Sequence, residues 1–449
     1  MRRRLLVVAA VAAIVVPAGA YGLAEVRSSR DAAGDTTTTS TSSSTTTSTT
    51  TAAPVETTAP CVVDTTLFEP ARAAPADLVA ALDAFVRDPT VAPHAAGLSI
   101  WIDGYGEVLA HRPDLALAPA SNQKLYTAIG ALAVIGADVR LVTEVRLSPA
   151  GDLVIVGGGD PTLTRFGPHS VAALAEQIQD AGLTRVPGAL LVDESRHDGV
   201  RRASGWQEWQ VPAYTGPLSA FMVDDNRWRA DPAFLADPAL GNAELVRQAL
   251  AARGTTVAGP TGYAPDRSGR VVATLSSAPI GELVATMLGT SANQIADLVL
   301  KEVAVAAGSS GSVVGAAAAA DTALAPLCLP LVGAVDDGSG LSRANSRSAR
   351  EWRVLLQAVR DEPWWPQLHQ ALPVAARTGT LASRFGGTAA AANVRAKTGT
   401  IIGGTALAGY GTTAAGRAFV FSAMVNGPGA QAGAEAIDRL VAAVAAHPG

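Results

Sequence analysis

The sequence predicts an α/β protein that is exported from the cytoplasm and contains more than one domain. Its 449 residues exceed the roughly 250–300 that one hydrophobic core usually supports. Hydrophobic residues make up 48% of the chain and charged residues only 16%, which excludes global disorder. After Pro75, strand-like and helix-like runs alternate to the end of the chain, and this alternation predicts the α/β class.

The charge composition argues against nucleic-acid binding and draws attention to the lysines. The net charge is −5, so the chain offers no broad cationic surface for phosphates. Its 34 basic residues include only three lysines, Lys124, Lys301 and Lys397. Arginine stays protonated at any accessible pH, whereas a buried lysine can lose its proton and act as a base. Each lysine is therefore a candidate for chemistry that arginine cannot perform.

Residues 1–30 have the pattern of a signal peptide or a membrane anchor. Three arginines at positions 2–4 precede the uncharged apolar stretch 5–24. The small residues at 18–20 suit a signal peptidase, but twenty apolar residues also reach roughly 30 Å, enough to span a bilayer. Cleavage and retention both stay open. We expect an extracytoplasmic protein, in the cell wall or a periplasm-like space, whose only membrane contact is this segment.

Residues 31–75 form a predicted disordered linker that is rich in Ser, Thr and Pro. The two cysteines, Cys61 and Cys328, lie at the end of this linker and deep in the body. Because their number is even and the predicted compartment is oxidising, we expect a disulfide between them. Two unpaired thiols in apolar surroundings are the alternative.

The apolar spacing predicts the main elements of the body. The predicted elements are a hairpin over 98–102 and 107–109, a helix over 121–135, strands over 153–156 and 189–192 around a helix near 171–181, helices over 279–288 and 294–306 with a break at 290–293, strands over 401–410 and 418–426, and a final helix over 432–446.

Ser121 and Lys124 form the only Ser-x-x-Lys in the chain, at the start of a predicted helix. At i and i+3 the two side chains share a helix face, so the amine can take the hydroxyl proton. The helix N-terminus favours a developing oxyanion beside the hydroxyl. Alone, the motif is weak, because Ser at a helix start is more often an N-cap and Lys more often a solvated side chain.

Two further motifs accompany the first. Ser291 and Asn293 form the only Ser-x-Asn, and the predicted helix break lets both side chains enter one cleft. The only Lys-Thr-Gly consists of Lys397, Thr398 and Gly399, followed by Thr400 and a strand pattern, where a cation and hydroxyls can bind a carboxylate and the glycine admits a substrate backbone. Residues 377–380, Arg-Thr-Gly-Thr, precede no strand pattern and are interpreted as a decoy.

Each motif occurs once, in the order Ser-x-x-Lys, Ser-x-Asn, Lys-Thr-Gly, which is the signature of penicillin-recognising serine hydrolases. The stretches 157–163, 291–296, 337–343 and 394–400 resemble the low-molecular-mass class C penicillin-binding proteins, the D-Ala-D-Ala carboxypeptidase/endopeptidase family. The resemblance runs from about residue 80 to the end of the chain. It implies a transpeptidase domain, an antiparallel sheet flanked by helices, over 76–143 and 277–449, with a large inserted region over 144–276.

The resemblance also implies roles for individual residues. Ser121 would attack the carbonyl between two D-alanines with Lys124 as its general base, and Ser291 with Asn293 would relay the proton. Lys397 and Thr398 would bind the terminal carboxylate, and the backbone N–H groups of Ser121 and Thr400 would form the oxyanion hole. Close approach of Lys397 to Lys124 would keep the latter neutral. The implied pocket for a diaminopimelate side chain consists of Asp160, Leu341, Arg343 and Ile401.

The expected partners are peptidoglycan stem peptides, with β-lactam antibiotics as inhibitors, and no metal or other cofactor is expected. Two alternatives stay open. A β-lactamase needs a base for fast deacylation, and the Glu-x-x-x-Asn pattern of the best-known class is missing between Asn293 and Lys397. A non-enzymatic wall-binding protein would not require Lys124. The remaining lysine, Lys301, is interpreted as a surface residue.

Overall fold

The computed structural model of the protein describes residue 61, residues 64–265 and residues 267–449. The predicted signal or anchor segment and the predicted linker up to residue 60 lie outside the described residues. Within the described part of the chain, no helix is both long and apolar enough to cross a membrane.

A five-stranded antiparallel sheet contains the Lys-Thr-Gly motif. In spatial order its strands are β10 (Arg395–Ile401), β11 (Gly404–Thr412), β12 (Ala418–Asn426), β1 (Ala95–Ile102) and β2 (Gly106–His111). Early and late parts of the chain thus meet where β1 pairs with β12. The β10 strand lies at the edge, so one side of its backbone faces away from the sheet.

Side chains of this sheet alternate between two hydrophobic cores, as the twofold repeat of a strand requires. Leu407 of β11 enters a core that it shares with α1 (Ala76–Arg87) and α11 (Ala434–Ala446). Its neighbours Ala406 and Ala408 enter the opposite core. That second core is supplied by the helices α2 (Gln123–Gly130), α6 (Ile280–Thr290), α7 (Asn293–Ala306), α8 (Val313–Leu324), α9 (Ala349–Ala358) and α10 (Trp365–Ala371).

A second, mixed sheet is built from the middle of the chain. Its spatial order is β8 (Thr261–Tyr263), β6 (Leu190–Asp193), β4 (Leu153–Val156), β3 (Arg140–Leu147) and β9 (Arg270–Pro279). The helices α3 (Val171–Asp180) and α5 (Pro238–Ala252) pack against it in a third core, preceded by the short α4 (Pro232–Ala236), and β5 (Arg185–Val186) pairs with β7 (Thr256–Val257). The predicted limits of an inserted domain, residues 144 and 276, stay a prediction.

Most predicted elements are present to within a few residues, but the predicted helix over 121–135 is divided into a 3₁₀ turn (Ala120–Asn122), α2 and a π-helical turn (Ala131–Ile135). The predicted hairpin is confirmed as β1 and β2, and the break at 290–293 separates α6 from α7. The predicted strand over 401–410 is instead the second arm of a hairpin. Gly403 has φ +75° and reverses the chain between β10 and β11, so the Lys-Thr-Gly motif lies inside β10 rather than before a strand.

The predicted disulfide is present. The sulfur atoms of Cys61 and Cys328 are 1.99 Å apart, and their Cα atoms 5.4 Å apart. The bond joins residue 61 to the loop that follows α8.

Candidate active site

The Lys124 side chain is completely buried and reaches three oxygen atoms. Its Nζ lies 3.0 Å from Ser121 Oγ, 2.8 Å from Asn293 Oδ1 and 2.6 Å from the Ser339 carbonyl oxygen. The Asn293 and Ser339 oxygens can only accept hydrogen bonds, whereas the Ser121 hydroxyl can also donate one. A neutral amine therefore satisfies this arrangement: two N–H groups donate to the carbonyl oxygens, and the lone pair receives the Ser121 O–H.

Burial lowers the pKa of Lys124 to about 8, and the carboxyl groups of Asp297 and Asp337 oppose this shift to the extent that they are ionised. The expectation that Lys397 keeps Lys124 neutral therefore named the wrong cause, because desolvation dominates. Burial, assisted by the charge of Lys124, holds the pKa of Lys397 well below its usual range. The two lysines thus both favour loss of a proton.

The break between α6 and α7 places the Ser-x-Asn side chains. Ser291 adopts a left-handed conformation, with φ +61°, at the C-terminal end of α6, and Asn293 begins α7. The side chain of Asn293 accepts from Lys124 through Oδ1 and donates through Nδ2 to the Tyr214 carbonyl oxygen, 3.0 Å away. Asn293 is therefore fixed at both ends, by the catalytic-motif lysine and by the loop that contains Tyr214.

The Lys-Thr-Gly motif lies in β10 beside the residues that precede Ser121. The buried Lys397 donates to Ser291 Oγ at 3.0 Å and to the Thr398 carbonyl oxygen at 2.8 Å. A Cβ atom on Gly399 would lie 2.8 Å from the Pro119 carbonyl oxygen. Glycine is needed here because the strand approaches the start of the helix, a reason independent of the predicted approach of a substrate backbone.

Ser121, Ser291, Thr398 and Thr400 line one open cleft of about 500 Å³. The structure thus brings the three sequence motifs to one place. The cleft is also lined by residues that the sequence analysis did not select, namely Thr380, Arg384, Ala434, Glu435 and Asp438.

Thr380 belongs to the stretch interpreted as a decoy. The Thr398 hydroxyl donates to Thr380 Oγ1 at 2.8 Å, which places the Thr380 side chain at the cleft. The absence of a strand pattern correctly excluded a second Lys-Thr-Gly strand, since Gly379–Leu381 is a 3₁₀ turn. It did not exclude contact with the true motif through the fold.

A second pocket, of about 220 Å³, begins at Thr400. Leu341 and Ile401, two of the four predicted side-chain-pocket residues, line it. The other lining residues are Trp209, Gln210, Tyr214, Ile402 and Gln431. The aromatic rings of Trp209 and Tyr214 meet edge to face, with centroids 5.6 Å apart. The pocket is therefore largely apolar, with neutral amides among its lining groups.

The two charged members of the predicted side-chain pocket, Asp160 and Arg343, are not among the residues that line the pocket of about 220 Å³. The Asp160 side chain is only 1% exposed, and its carboxylate lies 2.6 Å from His169 Nε2 and accepts from the Thr162 backbone N–H at 2.8 Å. Arg343 is exposed and donates to the Ile402 carbonyl oxygen. Asp160 thus lies buried against His169 and Thr162, while Arg343 lies near the rim, and their contact with a ligand stays a prediction.

The interpretation of Lys301 as a surface residue is wrong. Only 1% of the residue is exposed, and its ammonium forms an ion pair with Asp198. Lys301 also donates to the Val200 carbonyl oxygen at 3.2 Å. The lysine faces the loop after β6 because helix α7 packs there, a contact that no local sequence pattern reveals.

Known proteins are similar in sequence to most of this chain. The family model of the D-Ala-D-Ala carboxypeptidase 3 (S13) family matches residues 78–233 and 233–447. A carboxypeptidase from Mycobacterium tuberculosis is 31% identical over 385 residues, covering 81% of this chain and 83% of that protein. A D-alanyl-D-alanine carboxypeptidase from an Actinomadura species is 29% identical over 458 residues, covering 82% and 84%.

A solved structure shows the same fold. Penicillin-binding protein 4 from Haemophilus influenzae superposes with a TM-score of 0.69 at 20% identity, covering 77% of this chain and 93% of that one. The fold is therefore that of the penicillin-binding proteins, an α/β architecture with helices around antiparallel and mixed sheets. With the family match over nearly the whole body, the chain belongs to the D-Ala-D-Ala carboxypeptidase 3 (S13) family.

Proposed function

We propose that this protein is a serine-type D-Ala-D-Ala carboxypeptidase that forms an acyl-enzyme on Ser121. The observation that carries the proposal is the hydrogen bonding of Lys124. A buried lysine with a lowered pKa lies 3.0 Å from the Ser121 hydroxyl, and its other two contacts are carbonyl oxygens. This arrangement suits a base that activates a serine nucleophile.

Acylation follows from these contacts. Ser121 Oγ attacks the carbonyl carbon of the penultimate D-alanine while its proton passes to Lys124 Nζ. The C–N bond then breaks, and the leaving D-alanine amine takes a proton relayed through Lys124 and Ser291. In the second half, water attacks the ester, gives a proton to Lys124, and releases the shortened stem peptide as Ser121 recovers its own. No proton is gained or lost by the enzyme over the cycle.

The edge position of β10 supports the proposed substrate alignment. An edge strand offers unpaired backbone groups to an extended peptide. The Thr400 and Ser121 N–H groups would stabilise the oxyanion, a contribution of about 3 kcal/mol per donor in comparable hydrolases. The leaving-group carboxylate would bind beside Thr398 and Lys397, and the acyl part would extend from Thr400 toward Leu341.

The substrate class is a peptidoglycan stem peptide whose side chain enters the apolar pocket. A diaminopimelate chain has a methylene portion that suits the Leu341 and Ile401 surfaces. Its charged end would lie at the rim, where Arg343 can meet the carboxylate. Such a substrate, and the sequence pattern of residues 1–30, support action outside the cytoplasm.

Endopeptidase activity is the second candidate. The cleft on the Thr398 side has a volume of about 500 Å³ and includes the charged Arg384, Glu435 and Asp438. A single D-alanine leaving group does not need that much space. A cross-linked peptide, whose leaving amine carries a further stem, would use it.

Intact-mass spectrometry with a β-lactam tests the proposed function. The strained amide of the drug mimics the D-Ala-D-Ala bond, so the wild-type body should gain the mass of one drug molecule. Ser121→Ala should gain none. An adduct that persists in Ser121→Ala, or no adduct on the wild type, would refute the assignment. No adduct together with unhydrolysed drug would favour a wall-binding protein.

The same samples distinguish a carboxypeptidase from a β-lactamase, which is the remaining alternative. A β-lactamase would release the hydrolysed drug within the time of the experiment, so its adduct would be short-lived. A carboxypeptidase without a dedicated deacylation base should keep the adduct. Muropeptides digested by the pure enzyme then distinguish D-alanine release from cross-link cleavage.

A further inference from the structure

Asp297 is a buried residue of α7 that does not line the cleft, and the proposed reaction does not use it. It follows Asn293 by four residues on α7, so both side chains lie on one helix face. Asn293 Oδ1 accepts from Lys124, whereas Asp297 Oδ1 accepts the Gly338 backbone N–H at 3.0 Å. The residue after Gly338 is Ser339, whose carbonyl oxygen is the other acceptor of Lys124.

The two acceptors of the lysine are therefore tied together by one turn of α7. Helix α7 supplies Asn293 directly, and through Asp297 it holds the loop that supplies Ser339. A second bond fixes the same loop from the lysine's own helix, since the Thr127 hydroxyl donates to the Gly338 carbonyl oxygen at 2.8 Å. The positions of the two carbonyl oxygens that accept hydrogen bonds from Lys124 therefore depend on this loop and on this turn of α7.

The neighbouring carboxyl group of Asp337 has a very different environment. It accepts hydrogen bonds from five donors, which are the backbone N–H groups of Gly340 and Ser342 and the side chains of Trp206, Ser339 and Asn345. Both carboxyl oxygens of Asp337 thus have hydrogen-bond donors.

Asp297, in contrast, is only 2% exposed, and its Oδ2 has no hydrogen-bond partner among the described residues. The Ser339 hydroxyl is close, but it directs its hydrogen bond to Asp337 at 3.3 Å. Burial and the charge of Asp337 both raise the pKa of Asp297 well above its usual range. Two adjacent buried carboxyl groups do not ionise together easily.

We propose that Asp297 is a positioning residue that fixes both acceptors of Lys124 and does so as a neutral carboxylic acid. As an acid it still accepts the Gly338 N–H through Oδ1, but it adds no negative charge that would keep Lys124 protonated. The base is then held by two carbonyl oxygens and is free to take the Ser121 proton. The inference rests on the proposed function of Ser121 and Lys124.

The charged groups around Asp297 allow a matched control. Asp297 lines a cavity of about 210 Å³ whose other ionisable lining residues are Asp198, Lys301, Asp336 and Asp337. Asp336 contacts the Ser204 hydroxyl at 2.5 Å and the Gly205 N–H at 2.9 Å rather than the loop at Gly338. Asp336→Asn therefore removes a carboxyl from the same cavity without touching the contacts of Lys124.

The test compares the wild type with Asp297→Asn, Asp297→Leu and Asp336→Asn in β-lactam acylation across pH, with thermal melting as a check on folding. Asn keeps the acceptor and the neutral charge, so its rate and its apparent pKa should match the wild type. Leu lacks the acceptor, and its rate should fall by roughly a hundredfold, the effect of about 1 Å of misplacement. A lower apparent pKa in Asp297→Asn would reveal a lost anion and overturn the inference, as would a wild-type rate in Asp297→Leu.

An infrared difference spectrum tests the proton itself, independently of activity. At neutral pH the wild type should show the carbonyl stretch of a protonated carboxyl, which Asp297→Asn loses and Asp336→Asn keeps. Absence of this band overturns the inference even if acylation proceeds. Presence of the band without any β-lactam adduct on the wild type would instead refute the proposed function alone.

Discussion

Helix α7 contacts the buried Lys124 at its start and contains the buried Lys301 nearer its other end, and the two lysines have opposite surroundings. At the start of the helix, Asn293 accepts from Lys124, whose other contacts are a hydroxyl and a carbonyl oxygen. Near its end, Lys301 is paired with the carboxylate of Asp198. The next residue, Glu302, lies 2.7 Å from His197 Nε2 and accepts from Arg196.

The difference shows what separates a base from a structural cation. A carboxylate partner compensates the desolvation of an ammonium group and keeps it charged. Hydroxyl and carbonyl partners offer hydrogen bonds without a full negative charge, so burial can lower the lysine pKa. One helix thus contacts the proposed base at one end and, nearer the other, is held to the loop that follows β6.

The largest expected effect is that of Lys124→Arg. Arginine keeps the positive charge but cannot act as the base, so the rate of β-lactam acylation should fall by about 10³, within the usual range for general-base catalysis. Stopped-flow or quenched mass spectrometry measures the rate. Lys301→Arg is the matched control and should acylate within a few-fold of the wild type. If Lys124→Arg and Lys301→Arg lose the same factor in acylation rate, the two lysines do not differ in function as proposed.

Asp198→Asn should have the reverse profile. It leaves the Lys301 ammonium buried without its carboxylate, and removal of one partner of a buried pair costs about 3–5 kcal/mol. Chemical denaturation should therefore show a lower free energy of unfolding, while the acylation rate of the folded protein stays the same. The double variant Asp198→Asn/Lys301→Met should recover part of the loss. Unchanged stability in the single variant would show that the pair is not structural.

The smallest expected effect concerns the apolar pocket. Trp209→Ala removes a wall of the pocket, so cleavage of a stem peptide should slow about tenfold, the value of a partly buried apolar contact of about 1.4 kcal/mol. Acylation by a β-lactam without a long side chain should not change.

Arg343→Glu should likewise slow only the cleavage of peptides with a free diaminopimelate carboxylate. If the Trp209 or Arg343 variant loses as much acylation rate with the drug as cleavage rate with the peptide, that residue does not select the substrate.

The sequence predicted which motif residues meet at one cleft, because each motif is a short pattern whose side chains are placed by the local backbone. The spacing of Ser121 and Lys124, and the helix break at Ser291, place their side chains without knowledge of distant contacts. Thr380 and Asp297 were missed for the opposite reason, since each reaches the site only through tertiary packing. The surface assignment of Lys301 was wrong because burial against the loop after β6 leaves no periodic signal in its own helix.

The central claim is that Lys124 acts as a neutral base, and the pH dependence of wild-type acylation tests it most directly. Below its pKa the lysine is protonated and cannot accept the Ser121 proton, so the second-order acylation rate should rise with pH. Because burial lowers this pKa to about 8, the rise should level off just above that pH. A rate that does not change with pH through this region would contradict the account, as would a rise that continues to the ordinary lysine value of 10.5.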